Sequence, residues 1–388
     1  MILAYDECMT KILNIADTCF NLGYWPSHFK QSISIIIPKP NKSQYDTSKA
    51  FHSIVLLNTL GKLIEKVVSH HIQFQAVQST VLHPNQLGGI IQRSTTDAGL
   101  FLTHTIRTGW IKHLKMSIVA FNIAQFFPSL NHETLTDIIS LAGFDHKVVA
   151  FFRNYLTDRY TTYSWNSFLS TPFPASVGVG QGSALSLVLS ALYLAPVLYL
   201  FEKRARNLEN PLPISILSFV DNGLLISQEK KYEKSLDTLA CGYSIISSLL
   251  TAVGLVLEHE KSEVFHFSRA RNDTNPPLDL SHAGSPLLYP KKTWRYLGFY
   301  FNKKLSFRHH TQFYANKALS TVKALNLLGN SSRGLLPLQK RLLYRTCVLP
   351  IALYGFQLWF FKGAPTYYPL QNLNRMQCRA ALWITGAF

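Results

Sequence analysis

Two short stretches carry residues whose type and placement suit metal-assisted displacement at phosphorus. One is Phe121-Asn122-Ile123-Ala124-Gln125-Phe126-Phe127, closing an apolar, β-rich run; the other is Phe219-Val220-Asp221-Asn222, lying between two more such runs. Chemistry of this kind needs carboxylates from separate elements to converge on two divalent ions roughly 3.5–4 Å apart, and a strand end facing a β-turn is a suitable frame. Of Asn122, Asp221 and Asn222, Asp221 alone is a carboxylate.

The elements that must hold these residues follow from periodicity. The first thirty residues read as an amphipathic helix with Ile12, Ile15, Ala16, Cys19 and Phe20 on one face, ending near Gly23 before a Trp25-Pro26 turn. Ser32 to Ile37 is a β-branched run stopped by Pro38-Lys39-Pro40, and Leu56 to Gln75 looks helical. Ser117 to Ile123 reads as a strand, broken by Phe126-Phe127-Pro128, with a helix opening at Asn131-His132-Glu133 and helix again from Asp145 to Tyr160. Ile214 to Ser227 reads as two strands meeting at Asp221-Asn222-Gly223, which has hairpin-turn chemistry. Leu236 to Gly254 is helical, Ser262 to Phe267 and Trp294 to Phe301 are each a strand, and the chain beyond Ser306 is helical. This alternation predicts an α+β fold.

At 388 residues and 47% hydrophobic side chains, the chain can bury a substantial core. Charged residues are 15%, against roughly 25% in ordinary soluble domains, yet the net charge is +17 because acids are scarce. After Asp279 there is no Asp or Glu, while fifteen Lys and Arg continue to the end. A positive surface of that extent selects polyanions, nucleic acid first, and predicts salt-sensitive binding. Cys8, Cys19, Cys241, Cys347 and Cys378 lack metal-ligand spacing and read as reduced, buried thiols. Asp6 and Glu7 stand where a signal peptide needs a basic start, so an intracellular protein is expected, with the nucleus one candidate compartment. Ser183 to Phe201 is uncharged and long enough to span a membrane, but Pro196 and its serines point to a buried helix, so no membrane partner is expected.

Several separated motifs, taken in order, make the chain similar to the reverse transcriptases of non-LTR, LINE-type retrotransposons, fungal ones especially. They are Ile37-Pro38-Lys39-Pro40-Asn41-Lys42, Leu56-Leu57-Asn58-Thr59-Leu60-Gly61-Lys62, Arg93-Ser94-Thr95-Thr96-Asp97, Phe121 to Leu130, Gly180-Gln181-Gly182-Ser183, Phe219 to Gly223 and Tyr296-Leu297-Gly298. The resemblance implies an α+β right-hand polymerase with an antiparallel palm sheet and a helical thumb. Its parts would be a helical lead-in over 1–32, a reverse transcriptase domain over 33–302 with fingers to about 116 and palm to about 302, and the thumb with a truncated connection over 303–388. It further implies RNA-directed DNA polymerase activity, two Mg2+ ions, an RNA template, a DNA primer and deoxynucleoside triphosphates.

By the same resemblance Lys39 and Lys42 would face the incoming triphosphate, and His52 stands where the family usually has Arg. Phe127 matches the bulky residue that stacks under the sugar, Gln181 and Gly182 the loop beside the nascent base pair, and Lys261 the position near the departing pyrophosphate. Lys291, Lys292, Arg295, Lys303 and Lys304 would contact nucleic acid. The family places aspartate at 122, 221 and 222 as metal ligands and catalytic residues; here Asn122 and Asn222 replace two of the three, predicting an impaired copy. Those changes, with His52 for Arg and Ser53 and Leu187 for Pro, all fit single C-to-T or G-to-A mutations of a decaying transposon. Asn222-Gly223 is also prone to deamidation, which would return a carboxylate to position 222.

Overall fold

The computed structural model describes residues 2–40, 44–47, 50–270, 273–281, 287–329, 333–364 and 366–387. In chain order the helices are α1 Ile2–Asn21, α2 Thr59–Gln78, α3 Thr95–Ile111, α4 His132–Leu141, α5 His146–Leu156, α6 Ser186–Arg206, α7 Tyr232–Ala252, α8 Arg308–Leu325, α9 Pro337–Leu343, α10 Leu349–Ala352 and α11 Tyr367–Thr385. The strands are β1 Gln31–Pro38, β2 Phe51–Leu57, β3 Lys115–Asn122, β4 Tyr160–Trp165, β5 Phe168–Leu169, β6 Phe173–Pro174, β7 Ile214–Phe219, β8 Asn222–Glu229, β9 Glu263–Phe267, β10 Thr293–Tyr296 and β11 Phe299–Asn302.

The central sheet runs β7-β8-β3-β9 and is antiparallel throughout. Alternation along its strands feeds two cores, because successive side chains of a strand point to opposite faces. Val119, Phe121, Ile216 and Leu225 face a core built with α6 and α7, whereas Ile118, Leu217, Leu224 and Ile226 face one built with α3 and the β10–β11 hairpin. The apolar run at Ser183 to Phe201 becomes α6, with Leu189, Leu192, Tyr193 and Phe201 fully buried, so its hydrophobicity serves the core. A second sheet runs β2-β1-β4-β5 with β6 also on β4; β1 pairs with β2 antiparallel and with β4 parallel. The helices after β11 gather a third core around Ala318, Val322, Val348, Ala352, Met376 and Trp383.

Four local expectations are corrected. Leu56 belongs to β2, and helix α2 starts only at Thr59, where the Asn58 side chain accepts from the Leu60 and Gly61 amides at 3.0 and 3.2 Å. Trp294 to Phe301 is a hairpin, turned by Leu297 at φ 46° and Gly298 at φ 86°, since a two-residue turn with both φ positive matches strand twist. Of the cysteines only Cys19 is buried; Cys8, Cys241, Cys347 and Cys378 lie on the surface. On α1, Ala16 and Cys19 are buried but Ile15 is 39% exposed, so the buried stripe is narrower than its apolar residues suggest.

Candidate active site

The two stretches read from the sequence meet. β3 and β8 pair with Asn122 directly opposite Asn222, and β7 pairs with β8 with Phe219 opposite Asn222. The hairpin turn is therefore Val220-Asp221, one residue earlier than expected, and Asn222 already belongs to β8. Gly223 is needed for packing: a Cβ there would lie 2.1 Å from the Phe121 ring. Val220 adopts φ 58°, a conformation that costs a β-branched residue on the order of 1–3 kcal/mol.

The surroundings hold that turn in place. Ser218 N–H donates to the Asn85 carbonyl and Leu87 N–H to the Ser218 carbonyl, both at 2.9 Å, so the 85–88 segment runs along β7. Gly88 then passes the turn so closely that a Cβ would lie 2.4 Å from the Val220 nitrogen. On the other side Ile123 N–H donates to the Asp221 carbonyl at 2.9 Å. The sequence reading missed Gly88; the Gly88-Gly89 pair between Leu87 and Ile90 was its available signal. The Arg93 to Asp97 motif supports this segment too. Arg93 donates to the Pro84 and Gln86 carbonyls, while Ser94 and Asp97 form a capping box at the start of α3.

Within the turn the Asn222 amide nitrogen donates to Asp221 Oδ1 at 2.8 Å, so the single carboxylate is engaged by its neighbour. Burial raises the Asp221 carboxyl above the ordinary aspartate range; a backbone hydrogen bond and Lys261 oppose that, and Glu258 reinforces it. Lys261 is itself paired with Glu258 at 2.7 Å, and Glu258 N–H donates to the Asn122 carbonyl at 2.8 Å. The donor set is one carboxylate and two amides, and among the described residues no group of three or more His, Cys, Asp or Glu could hold a metal ion. These residues do not fit a pair of Mg2+ ions, which are hard cations that select anionic oxygens.

The expected substrate-facing residues gather at the same end. His52 sits opposite Ile37 across β1 and β2, and Lys39 follows β1 with its N–H on the Ala50 carbonyl at 2.8 Å. Partial burial and the charges of Lys39 and Lys261 hold the His52 imidazole below its ordinary range, so the three basic residues share one electrostatic neighbourhood. Val55 N–H donates to the Gln181 carbonyl at 2.9 Å, and Gly182, at φ 136°, brings its backbone so near Val55 that a Cβ would lie 2.4 Å from the Val55 oxygen. Phe127 is half-buried against the central core, and its carbonyl accepts from Val179 N–H at 2.8 Å, which ties it to the same loop. Lys42 lies outside the described residues.

The basic residues expected to contact nucleic acid divide. Lys292 and Lys304 are exposed, and Arg295 lies over the Tyr300 ring at 5.5 Å. Lys291 is paired with Glu263, and Lys303 donates to the Asp273 carbonyl at 2.9 Å, so both have structural duties.

An antiparallel sheet whose hairpin turn meets a neighbouring strand end, with Lys39 and His52 at the end of a second sheet in the electrostatic neighbourhood of Lys261, is the arrangement of a right-hand polymerase. The chain shares that fold with telomerase from Candida tropicalis in complex with the TWJ fragment of telomeric RNA, at TM-score 0.53 and 12% identity over 97% of this chain and 57% of that one. Residues 37–301 match the family model of the reverse transcriptase (RNA-dependent DNA polymerase), and the chain belongs to that family. It is 22% identical over 94% of its length to a probable RNA-directed DNA polymerase from transposon BS of Drosophila melanogaster. With the RNA-directed DNA polymerase from mobile element jockey of the same species it shares 20% over 98% of its length. The chain spans 40% of the length of each of these relatives.

Proposed function

We propose that this chain is the reverse transcriptase domain of a LINE-type element whose polymerising centre no longer assembles its two Mg2+ ions, leaving a protein that binds nucleic acid without extending it. The observation that carries the proposal is the Asn122 and Asn222 pair across β3 and β8, with the Asn222 amide donated to Asp221. At an effective dielectric of about 20, a unit charge roughly 4 Å from another contributes about 4 kcal/mol. Each lost carboxylate thus removes attraction worth roughly a thousandfold in ion affinity, at about 1.4 kcal/mol per decade. An amide oxygen still coordinates, but without net charge.

In this reading the fingers extend to about residue 116 and the palm to about 302, with the helices from α8 onward as thumb. Lys39, His52 and Lys261 face the triphosphate and pyrophosphate of a deoxynucleotide; Phe127, Gln181 and Gly182 flank its sugar and base. The compartment is intracellular. Decay by C-to-T or G-to-A mutation of a fungal element belongs to the same proposal, and transversions at codons 52, 53, 122, 187 and 222 against an intact relative would count against it. Isothermal titration tests the core of the reading: the chain should show no saturable Mg2+ or Mn2+ binding in the millimolar range, and a two-site isotherm would refute it.

A further inference from the structure

The buried stripe of α2 runs through Gly61, Ile64, Glu65, Val68 and Ile72, and Glu65 is its single charged residue, 1% exposed. Burying a carboxylate is costly unless its oxygens are hydrogen-bonded. Both oxygens of Glu65 are: Oε1 accepts from the Tyr155 hydroxyl at 2.8 Å, and Oε2 from the Ala184 N–H at 3.0 Å. Neither partner is a cation, and Ala184 lies directly after the Gly180-Gln181-Gly182-Ser183 motif.

These contacts fix the direction of each proton around Glu65. Because the Tyr155 hydroxyl proton goes to Glu65, the 3.1 Å contact between Tyr155 and Ser183 uses the Ser183 proton, which leaves Ser183 Oγ to accept the Leu185 N–H at 3.0 Å. The Gly180 carbonyl then accepts from Ser186 Oγ at 2.7 Å and from Ser183 N–H at 3.1 Å, closing the loop on itself. Helix α6 begins here, and Leu185 at its N-terminus provides no side-chain cap. Glu65 and Ser183 supply acceptors in its place, and a carboxylate suits the positive end of a helix.

The loop is thereby tied twice to one unit of the fold. Asn58 alone separates β2 from α2, so Val55, which holds the Gln181 carbonyl, and Glu65, which holds Ala184, belong to the same strand–helix pair as His52. We propose that Glu65 is the positioning residue of the Gln181–Gly182 loop. By holding Ala184 directly and Ser183 through Tyr155, it keeps the loop in register with β2, so that the space for a nucleotide's sugar and base exists before the nucleotide arrives. Preforming a site removes an ordering cost from binding, so its loss is read in affinity rather than in the chemical step. The proposal rests on the reading that places this loop beside a deoxynucleotide.

Hydrogen–deuterium exchange on the full chain, read by mass spectrometry, tests the loop without metal, substrate or turnover. Glu65→Ala should speed exchange in peptides spanning 53–57 and 183–187 about tenfold, while those spanning β3 and α8 keep their native rates. Glu65→Gln, whose amide oxygen still accepts from Ala184, should restore most of the protection. Native rates at both peptides in Glu65→Ala would overturn the proposal, as would equal acceleration of all four peptides, which is lost stability rather than lost register. Should Glu65→Ala fail to fold, Tyr155→Phe removes one hydroxyl and carries the same comparison. The functional arm uses the chain with Asn122→Asp and Asn222→Asp on an RNA template with a DNA primer. There Glu65→Ala should raise KM for the templated deoxynucleotide about tenfold and leave kcat within about twofold; a fall in kcat at unchanged KM would overturn the proposal. If that background extends no primer, the charge-loss reading fails and the exchange rates alone decide on Glu65.

Discussion

Asn222 differs from aspartate by one nitrogen, and that nitrogen is committed: it donates to Asp221 Oδ1 at 2.8 Å. Deamidation at Asn222-Gly223 requires the Gly223 nitrogen to swing onto the side-chain carbon. In the fold Gly223 is buried in β8, opposite Phe121 on one side and Ser218 on the other. The lability expected of the isolated dipeptide should therefore be suppressed: peptide mapping of aged native protein should show no mass gain at Asn222, while the urea-unfolded chain accumulates it. His310 offers a second prediction at this scale. It is 1% exposed, its Nε2 lies 2.8 Å from the Tyr354 carbonyl, and its Nδ1 accepts from Tyr300 N–H at 3.3 Å, so one neutral tautomer satisfies both contacts. Burial lowers it from 6.5 to about 4. The unfolded chain binds this proton more readily than the folded one, so stability is lost as pH falls from about 6.5 towards about 4, by about 3 kcal/mol from this group alone. Urea denaturation at the two ends of that range should show a smaller loss for His310→Gln than for the native chain.

At the scale of elements, the Val220-Asp221 turn exists because its neighbours leave it no alternative. Gly88→Ala places a methyl 2.4 Å from the Val220 nitrogen and should cost about 1–3 kcal/mol, with the loss read as a lower chemical-denaturation midpoint. Restoring aspartate at 122 and 222 crowds three carboxylates at one hairpin. Without divalent ions, Asn122→Asp with Asn222→Asp should unfold at lower temperature, from repulsion on the order of 4 kcal/mol before solvent screening. Millimolar Mg2+ should recover the loss in that variant and leave the native chain unmoved, as differential scanning calorimetry would show. Much of this frame was legible in the sequence, because the apolar runs around 119, 216 and 225 are bounded by breakers. The exact turn was not, since Asn222-Gly223 carries stronger hairpin chemistry than Val220-Asp221, and tertiary contacts with the 85–88 segment and Ile123 override it. Strand β2 was missed for a related reason: its apolar residues run straight into α2 with Asn58 as the sole boundary. The roles of Lys291 and Lys303 were hidden because their partners, Glu263 and Asp273, lie 28 and 30 positions away.

Across the whole molecule, a +17 chain whose last hundred residues hold no acid should bind nucleic acid with a steep, largely sequence-independent salt dependence. A fluorescence titration at two salt concentrations with unrelated sequences of equal length checks this, and a flat response would contradict it. The proposed reading puts the Lys39 and His52 neighbourhood and the Gln181 loop around a substrate, while of residues 122, 221 and 222 only Asp221 is a carboxylate. That contrast is open to one decisive assay. On an RNA template with an annealed DNA primer and Mg2+, the native chain should add no nucleotides, and Asn122→Asp with Asn222→Asp should gain extension if charge loss is the whole defect. Robust Mg2+-dependent extension by the native chain would contradict the account at its root.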